Sequence, residues 1–115
     1  MAIIVQTPAP TKLLTDIKTA IKGGHVQTWL VDPEGDFTHE PEQWRKKAWL
    51  NPTVIPGGLV FGLLGQKNVS MTKAIYGVYH GRFIEMLLTH FDDEFTSITS
   101  TAQKESKVDH FKTAE

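Results

Sequence analysis

Histidine is the residue type in this chain that could transfer protons or bind a metal near neutral pH, and the chain has five. His80 and His90 lie in a stretch with a helical period. On a helix, their directions differ by about 80° and their heights by about 15 Å, so one metal ion cannot bind both. We expect two half-buried histidines with hydrogen-bonded rings. A small enzyme that uses His80 or His90 in a pocket between helix and sheet is the alternative hypothesis.

A second polar group, His39 with Glu40 and Glu42, follows a predicted hairpin. With His25 or His80 brought near by folding, this group could bind a metal. However, no H-x-x-x-H or H-E-x-x-H spacing occurs, and there is no cysteine to act as a ligand or nucleophile. The chain also lacks the G-x-S-x-G nucleophile elbow and the glycine motifs that bind phosphates. The sequence therefore predicts no catalytic residue, no metal site and no cofactor.

The most distinctive local composition is the segment Trp44-Arg45-Lys46-Lys47-Ala48-Trp49. Three cations between two indoles could stack bases and hold phosphates, as in proteins that bind single-stranded nucleic acids. The same residues could form a hot spot for a protein partner, since Trp and Arg are enriched in hot spots. The simplest interpretation is a solvated basic face flanked by core tryptophans. The net charge of −1 argues against nucleic acid.

The longest regular element that the sequence predicts is a helix from Ser70 to Phe91. Its apolar residues sweep over more than half of the helix circumference, so we expect it to contact partners on two sides. Ser70 is the predicted N-cap, because its hydroxyl can accept a hydrogen bond from the first turn. Asp92, Asp93 and Glu94 mark the end of the helix, since acidic side chains are unfavourable at the negative end of the helix dipole.

One strip of this helix carries only small residues, namely Ala74, Gly77 and Gly81. Each glycine costs about 1 kcal/mol relative to alanine in a helix interior. Small side chains let another backbone come close, which has two interpretations. The strip is either a close helix contact between two copies of the chain or, more simply, a close contact with the first helix or the sheet of the same chain.

Turn residues divide the rest of the chain into short elements. A first helix is predicted over Thr11–Lys22 and a helical turn over 41–47. The predicted strands are Ala2–Gln6 at an edge, His25–Val31, Phe37–His39, Ala48–Ile55, a central Leu59–Leu64 and Phe95–Thr101. The order (β)-α-β-β-β-β-α-β predicts an α+β fold, with an antiparallel sheet of about four to five strands and two helices. The long helix 70–91 packs on this sheet.

Length and composition predict one small domain. The chain has 115 residues, of which 40% are hydrophobic and 22% charged. We expect a single domain over residues 1–101, and the polar residues 102–115, which lack a period, predict a disordered tail. No window approaches 18 apolar residues, and the first residues lack the basic region of a signal peptide. We therefore expect a soluble, cytoplasmic protein without a membrane segment.

These features favour a small non-catalytic interaction domain that self-associates as a homodimer. The long helix and the strand 59–64 carry more apolar surface than one other helix can cover. Binding of single-stranded nucleic acid through Trp44, Arg45, Lys46, Lys47 and Trp49 is the alternative. The histidine enzyme is the third hypothesis.

Overall fold

The computed structural model describes residues 1–113 and shows within them two helices and a six-stranded antiparallel sheet. The elements are β1 (Ile3–Gln6), α1 (Pro10–Lys22), β2 (Trp29–Val31), β3 (Phe37–His39), β4 (Ala48–Ile55), β5 (Gly58–Gly65), β6 (Ser70–Met71), α2 (Lys73–Phe91), β7 (Ser97–Ser100) and β8 (Lys112–Thr113). The predicted α+β fold, with the long C-terminal helix packed on an antiparallel sheet, is confirmed. The sheet has more strands than the four to five predicted.

The strand order in the main sheet is β2-β3-β4-β5-β1-β7, and all neighbours are antiparallel. β1 was predicted at an edge but lies inside the sheet, between β5 and β7. The reason is a long-range pairing, in which Ile3 opposes Phe61 on one side and Ser100 on the other. Local sequence patterns cannot predict a pairing between residues so far apart in the chain. The edges of the sheet are instead β2 and β7.

The tight turn between β4 and β5 forms the central hairpin of the sheet. Gly57 adopts a φ of 76° between β4 and β5, which glycine allows without strain. β4 covers the predicted residues, and β3 pairs with it only where Phe37 opposes Leu50. Pro52 therefore lies where one side of β4 has no strand beside it, as a proline without an N–H requires. The C-terminal end of β3 lies beside α2, where the rings of His39 and Tyr79 are 6.1 Å apart, centroid to centroid.

The core lies on one face of the sheet, beneath both helices. α1 contributes Leu13, Ile17 and Ile21. From α2, the ring of Phe83 lies 4.8 Å from that of Phe61, centroid to centroid. The buried apolar side chains of the main sheet are Ile3, Val5, Trp29, Phe37, Ala48, Leu50, Leu59, Phe61 and Leu63. Alternate strand residues point to the same face, so this set is what a one-sided core requires.

The long helix begins at Lys73, and the prediction that Ser70 caps it is wrong. Thr72 is the N-cap, since its Oγ1 accepts a hydrogen bond from the Ile75 N–H at 3.1 Å. Ser70 is extended because β6 pairs in parallel with β8, with Ser70 opposite Lys112. That pairing depends on a distant segment.

Part of the segment 102–115, which the sequence predicts to be a disordered tail, contacts the sheet, and residues 114 and 115 lie outside the described part. His110 donates its N–H to the Leu63 carbonyl at 2.8 Å and accepts from the Gly65 N–H at 3.0 Å. Val108 lies over Gly62, where an added Cβ would be only 2.0 Å from the Val108 carbonyl oxygen. The segment therefore contacts β5 beyond the end of β1 and covers part of its second face.

Asp109 anchors this segment and is 1% exposed. One carboxylate oxygen accepts the Leu63 N–H at 2.7 Å, and the other accepts the Glu105 N–H at 2.7 Å. A carboxylate that satisfies buried backbone donors is strongly held, because those donors have no water to replace it. The sequence pattern missed this anchor because hydrogen bonding by one side chain leaves no periodic signal.

We expect Asp109→Ala to lower the free energy of unfolding by about 1 to 3 kcal/mol for each backbone donor that stays buried and unpaired. Urea denaturation measures the loss, and limited proteolysis reports whether residues 102–113 detach. Glu42→Ala, at an exposed acidic residue, is the control and should change little. Equal stability of the two variants would mean that the segment does not support the sheet.

Candidate functional site

The strip of small residues on α2 faces outward. Ala74, Gly77 and Gly81 are all exposed. A Cβ added at Gly77 or Gly81 would meet no atom within 4 Å other than those of the helix itself and its chain neighbours. The simpler interpretation, close packing inside the same chain, is therefore not found in the described part of the chain. Among residues 1–113, no neighbour outside the helix itself requires the small size of the two glycines.

Larger apolar residues continue this strip towards the end of α2. Leu88 is 49% exposed and Ile84 is half-buried. Together with Ala74, Gly77 and Gly81, they recur at helical spacings of three and four residues and so share one face. This outward face, which we call the α2 outer face, is small in its first half and large in its second half.

Charged residues of opposite sign stand at the two ends of α2. Lys73 is its first residue, and Asp92 and Asp93 follow its last residue. All three side chains are exposed. The two ends of the helix surface therefore differ in charge.

The tryptophans of the basic segment lie on different sides of the sheet. Trp44 packs against the core, whereas Trp49 lies between the inward-facing Ala48 and Leu50 and so points to the second face. Of the three cations between them, all exposed, Arg45 donates its Nε–H to the Glu40 carbonyl at 3.1 Å. The two indoles do not form one stacking surface. Nucleic-acid binding by this segment stays a prediction.

His80 is a structural residue in this fold. Its Nδ1 lies 2.7 Å from the Tyr76 carbonyl oxygen, and its Nε2 contacts the carbonyl oxygen of Met1. Burial lowers the pKa of His80 and outweighs these two carbonyls, which raise it. A neutral imidazole has one N–H, so the ring donates to one of these two carbonyls, and both nitrogens lie against backbone between α2 and the start of β1.

His90 has a different place, at the wall of a pocket between α2 and the chain segment before β2. The pocket has a volume of about 380 Å³. Its lining consists of His25, Val26, Gln27, Thr28, His39, Arg82, Glu85, Met86, Thr89 and His90. His25 and His39 thus line one pocket, although the hypothesis of a shared metal site required them to be close together. Within residues 1–113, however, no three His, Asp or Glu side chains are grouped closely enough to hold a metal ion.

His39 is the deepest polar residue of this pocket and is 1% exposed. Its Nδ1 lies 2.9 Å from the Thr28 carbonyl oxygen, which can only accept, so Nδ1 carries the proton. Its Nε2 therefore presents a lone pair, and no described protein atom donates to it. The Trp29 ring stacks at 4.6 Å and holds the imidazole in place. Burial lowers the pKa of His39, which keeps the ring neutral at neutral pH.

The sequence predicts part of the lining of this pocket, namely the residues that α2 contributes. Arg82, Glu85 and Thr89 follow each other at helical spacings of three and four residues, so a helix wheel places them on one side of α2. The contribution of His39 has no such signal, because β3 meets α2 only in the folded chain.

Comparison with protein-family models, with curated proteins and with solved structures found no match for this chain. Among the described residues, neither helix is long and apolar enough to cross a lipid bilayer.

We expect the free energy of unfolding to fall as the pH decreases from about 7 to about 5. Below about pH 6.5 the unfolded chain protonates His39 and His80, whereas the folded chain resists protonation because burial lowers both pKa values. The stability that these residues contribute is thus present above the unfolded pKa and lost below it. Urea denaturation at several pH values measures the slope. A double variant, His39→Gln with His80→Gln, should have a flatter slope, and an unchanged slope would contradict this assignment.

Proposed function

We propose that this protein is a non-catalytic interaction domain that forms a homodimer through the α2 outer face. The observation that carries the proposal is the exposure of Gly77 and Gly81 in the middle of α2. Each costs about 1 kcal/mol of helix stability relative to alanine, and no contact in the described part of the chain compensates for that loss. Close packing of a second helix against these glycines would offset that loss.

The order of side-chain sizes along this face favours an antiparallel pair. A two-fold axis midway between Arg82 and Phe83 sets Gly77 opposite Leu88 of the second copy. The same axis sets Gly81 opposite Ile84 of the second copy. Each large side chain then fills the space above a glycine, which is how helix surfaces interdigitate. A parallel pair would put small against small and large against large, leaving gaps in one half and clashes in the other.

The charges at the helix ends favour the same arrangement. In the antiparallel pair, Lys73 of one copy lies at the height of Asp92 and Asp93 of the other. The two-fold axis repeats this opposition at both ends, as an isologous interface requires. Charge complementarity contributes to orientation and specificity more than to affinity. It therefore selects the antiparallel pair, while the apolar face supplies the association energy.

The second face of the sheet gives less support to dimerisation than the sequence indicated. β5 is apolar on both faces, but residues 108–111 cover part of its second face. The apolar excess that suggested a dimer is therefore concentrated on α2. This restricts the proposal to one surface, which substitutions on one helix can test.

Replacing both glycines by leucine, Gly77→Leu with Gly81→Leu, should convert the dimer to a monomer. Leucine favours helix more than glycine does, so the fold should keep or gain thermal stability while the bulky side chains hold the second helix away. Analytical ultracentrifugation at micromolar concentration measures the association state. Thr19→Leu, which places the same side chain on exposed α1 surface, is the matched control and should stay dimeric. A monomeric wild-type protein at these concentrations would overturn the proposal.

Reversing the end charges should weaken and then restore the pair. Lys73→Glu sets like charges against Asp92 and Asp93 of the second copy, and we expect about a two- to fivefold loss of affinity at low salt. Adding Asp92→Lys and Asp93→Lys to the same chain should recover the wild-type affinity. Recovery by the triple variant supports the antiparallel orientation. If Lys73→Glu alone dimerises as tightly as the wild type, the orientation is wrong even if a dimer forms.

A further inference from the structure

The second face of the sheet, opposite the two helices, carries one row of side chains that includes an indole. Trp49 pairs with Leu64 across the β4–β5 ladder, and Leu64 forms a parallel bridge with His110. Side chains of paired residues point to the same face, so these three stand side by side on strands about 5 Å apart. Trp49 and Leu64 are half-buried and His110 is exposed. We call these three residues the Trp49 row.

Cations are concentrated at the end of the hairpin where the Trp49 row lies. The ladder ends one residue away, at the pair formed by Ala48 and Gly65. The cations around this end are Arg45, Lys46 and Lys47 before β4, Lys67 after β5 and Lys112 in β8. All five are exposed, and among residues 1–113 none of them forms an ion pair. They are five of the twelve Lys and Arg residues in the chain.

Acidic residues are fewer in the same segments, namely Glu40, Glu42, Glu105 and Asp109. Asp109 is 1% exposed, and its two carboxylate oxygens accept the backbone N–H groups of Leu63 and Glu105. Its charge is therefore directed into the protein and away from the surface. The excess of exposed cations at this end favours an anionic ligand, although the net charge of the whole chain is −1.

The loop that carries three of these cations is held in place. The Tyr79 hydroxyl, on α2, donates to the Trp44 carbonyl. The N–H groups of Trp44 and Arg45 both donate to the Pro41 carbonyl, at 2.8 and 2.9 Å. A loop that is already ordered presents its cations to a ligand without the entropic cost of ordering it on binding.

We propose that the Trp49 row and the cations around it bind a single-stranded nucleic acid. Lys47, Lys67 and Lys112 neutralise phosphates, and a base stacks on the exposed part of the Trp49 indole. A single strand leaves its base faces open for such stacking, whereas a duplex stacks them on one another. Trp44 packs against the core and takes no part. This surface lies on the opposite side of the sheet from α2, so it does not depend on dimerisation.

Fluorescence anisotropy of a labelled oligothymidylate of about twelve nucleotides tests the proposal with the full chain. With three to five phosphate contacts, we expect binding to weaken by about 20- to 100-fold as the salt concentration rises from about 50 to about 200 mM. A duplex of the same length should bind about tenfold more weakly than the single strand. Polyglutamate of equal charge reports whether an acidic protein segment is the better ligand.

Two double variants with equal loss of charge test the location of the site. Lys47→Gln with Lys67→Gln should weaken binding about tenfold at low salt and reduce the slope of log K against log salt by about 1.4. Lys22→Gln with Arg82→Gln, which removes two exposed cations elsewhere, is the matched control and should leave both quantities nearly unchanged. Equal losses in the two double variants would contradict the proposed location.

Substitutions of the indole separate stacking from charge. Trp49→Leu keeps an apolar side chain on the sheet but removes the stacking ring, so binding should weaken about fivefold or more with an unchanged salt slope. Trp49→Phe should retain most of the affinity, and the charge variants decide the matter if neither variant folds. The proposal is overturned if the oligothymidylate does not bind at low salt. It is also overturned if the duplex or polyglutamate binds as tightly.

Discussion

The packing of Phe83 against the sheet determines how the rest of α2 is presented. Its ring lies 5.0 Å from Trp29 and 5.4 Å from Phe37, with both pairs strongly tilted. Aromatic pairs in this geometry add about 0.5 to 1.5 kcal/mol each beyond the burial of apolar area. Because this anchor fixes the rotation of the helix about its axis, the glycines must face outward and Arg82 must face the pocket. One inward side chain thus defines two separate surfaces.

The sequence predicted those parts of the fold that depend on local chemistry. The glycine and proline turns, the bounds of β4 and the amphipathic α1 all follow from patterns within a few residues. The start of α2 and the place of residues 102–113 do not, because both depend on pairing with distant backbone. Asp109 illustrates the limit: its type is ordinary for a polar tail, and its role appears only when Leu63 presents an unpaired N–H.

The candidate sites also differ in how far the local sequence predicts them. A helix wheel gathers the small residues of α2 on one strip, but whether that strip is buried depends on which side of the helix carries the anchor. No sequence pattern indicates the role of His39, because it is a single histidine at the end of a strand. Its importance comes from the Thr28 carbonyl and the Trp29 ring, which fix one tautomer and leave Nε2 without a partner. Such a site emerges only from the tertiary structure.

The strand order has a consequence for folding during synthesis. β1 leaves the ribosome before its two neighbours, β5 and β7, which come much later in the chain. Until they are made, Ile3 and Val5 have no sheet to join, and the early chain exposes an unpaired apolar strand. Pairings between such distant residues also slow folding, because the loop between them must close first. The sheet around β1 can therefore close only after β7 has been made.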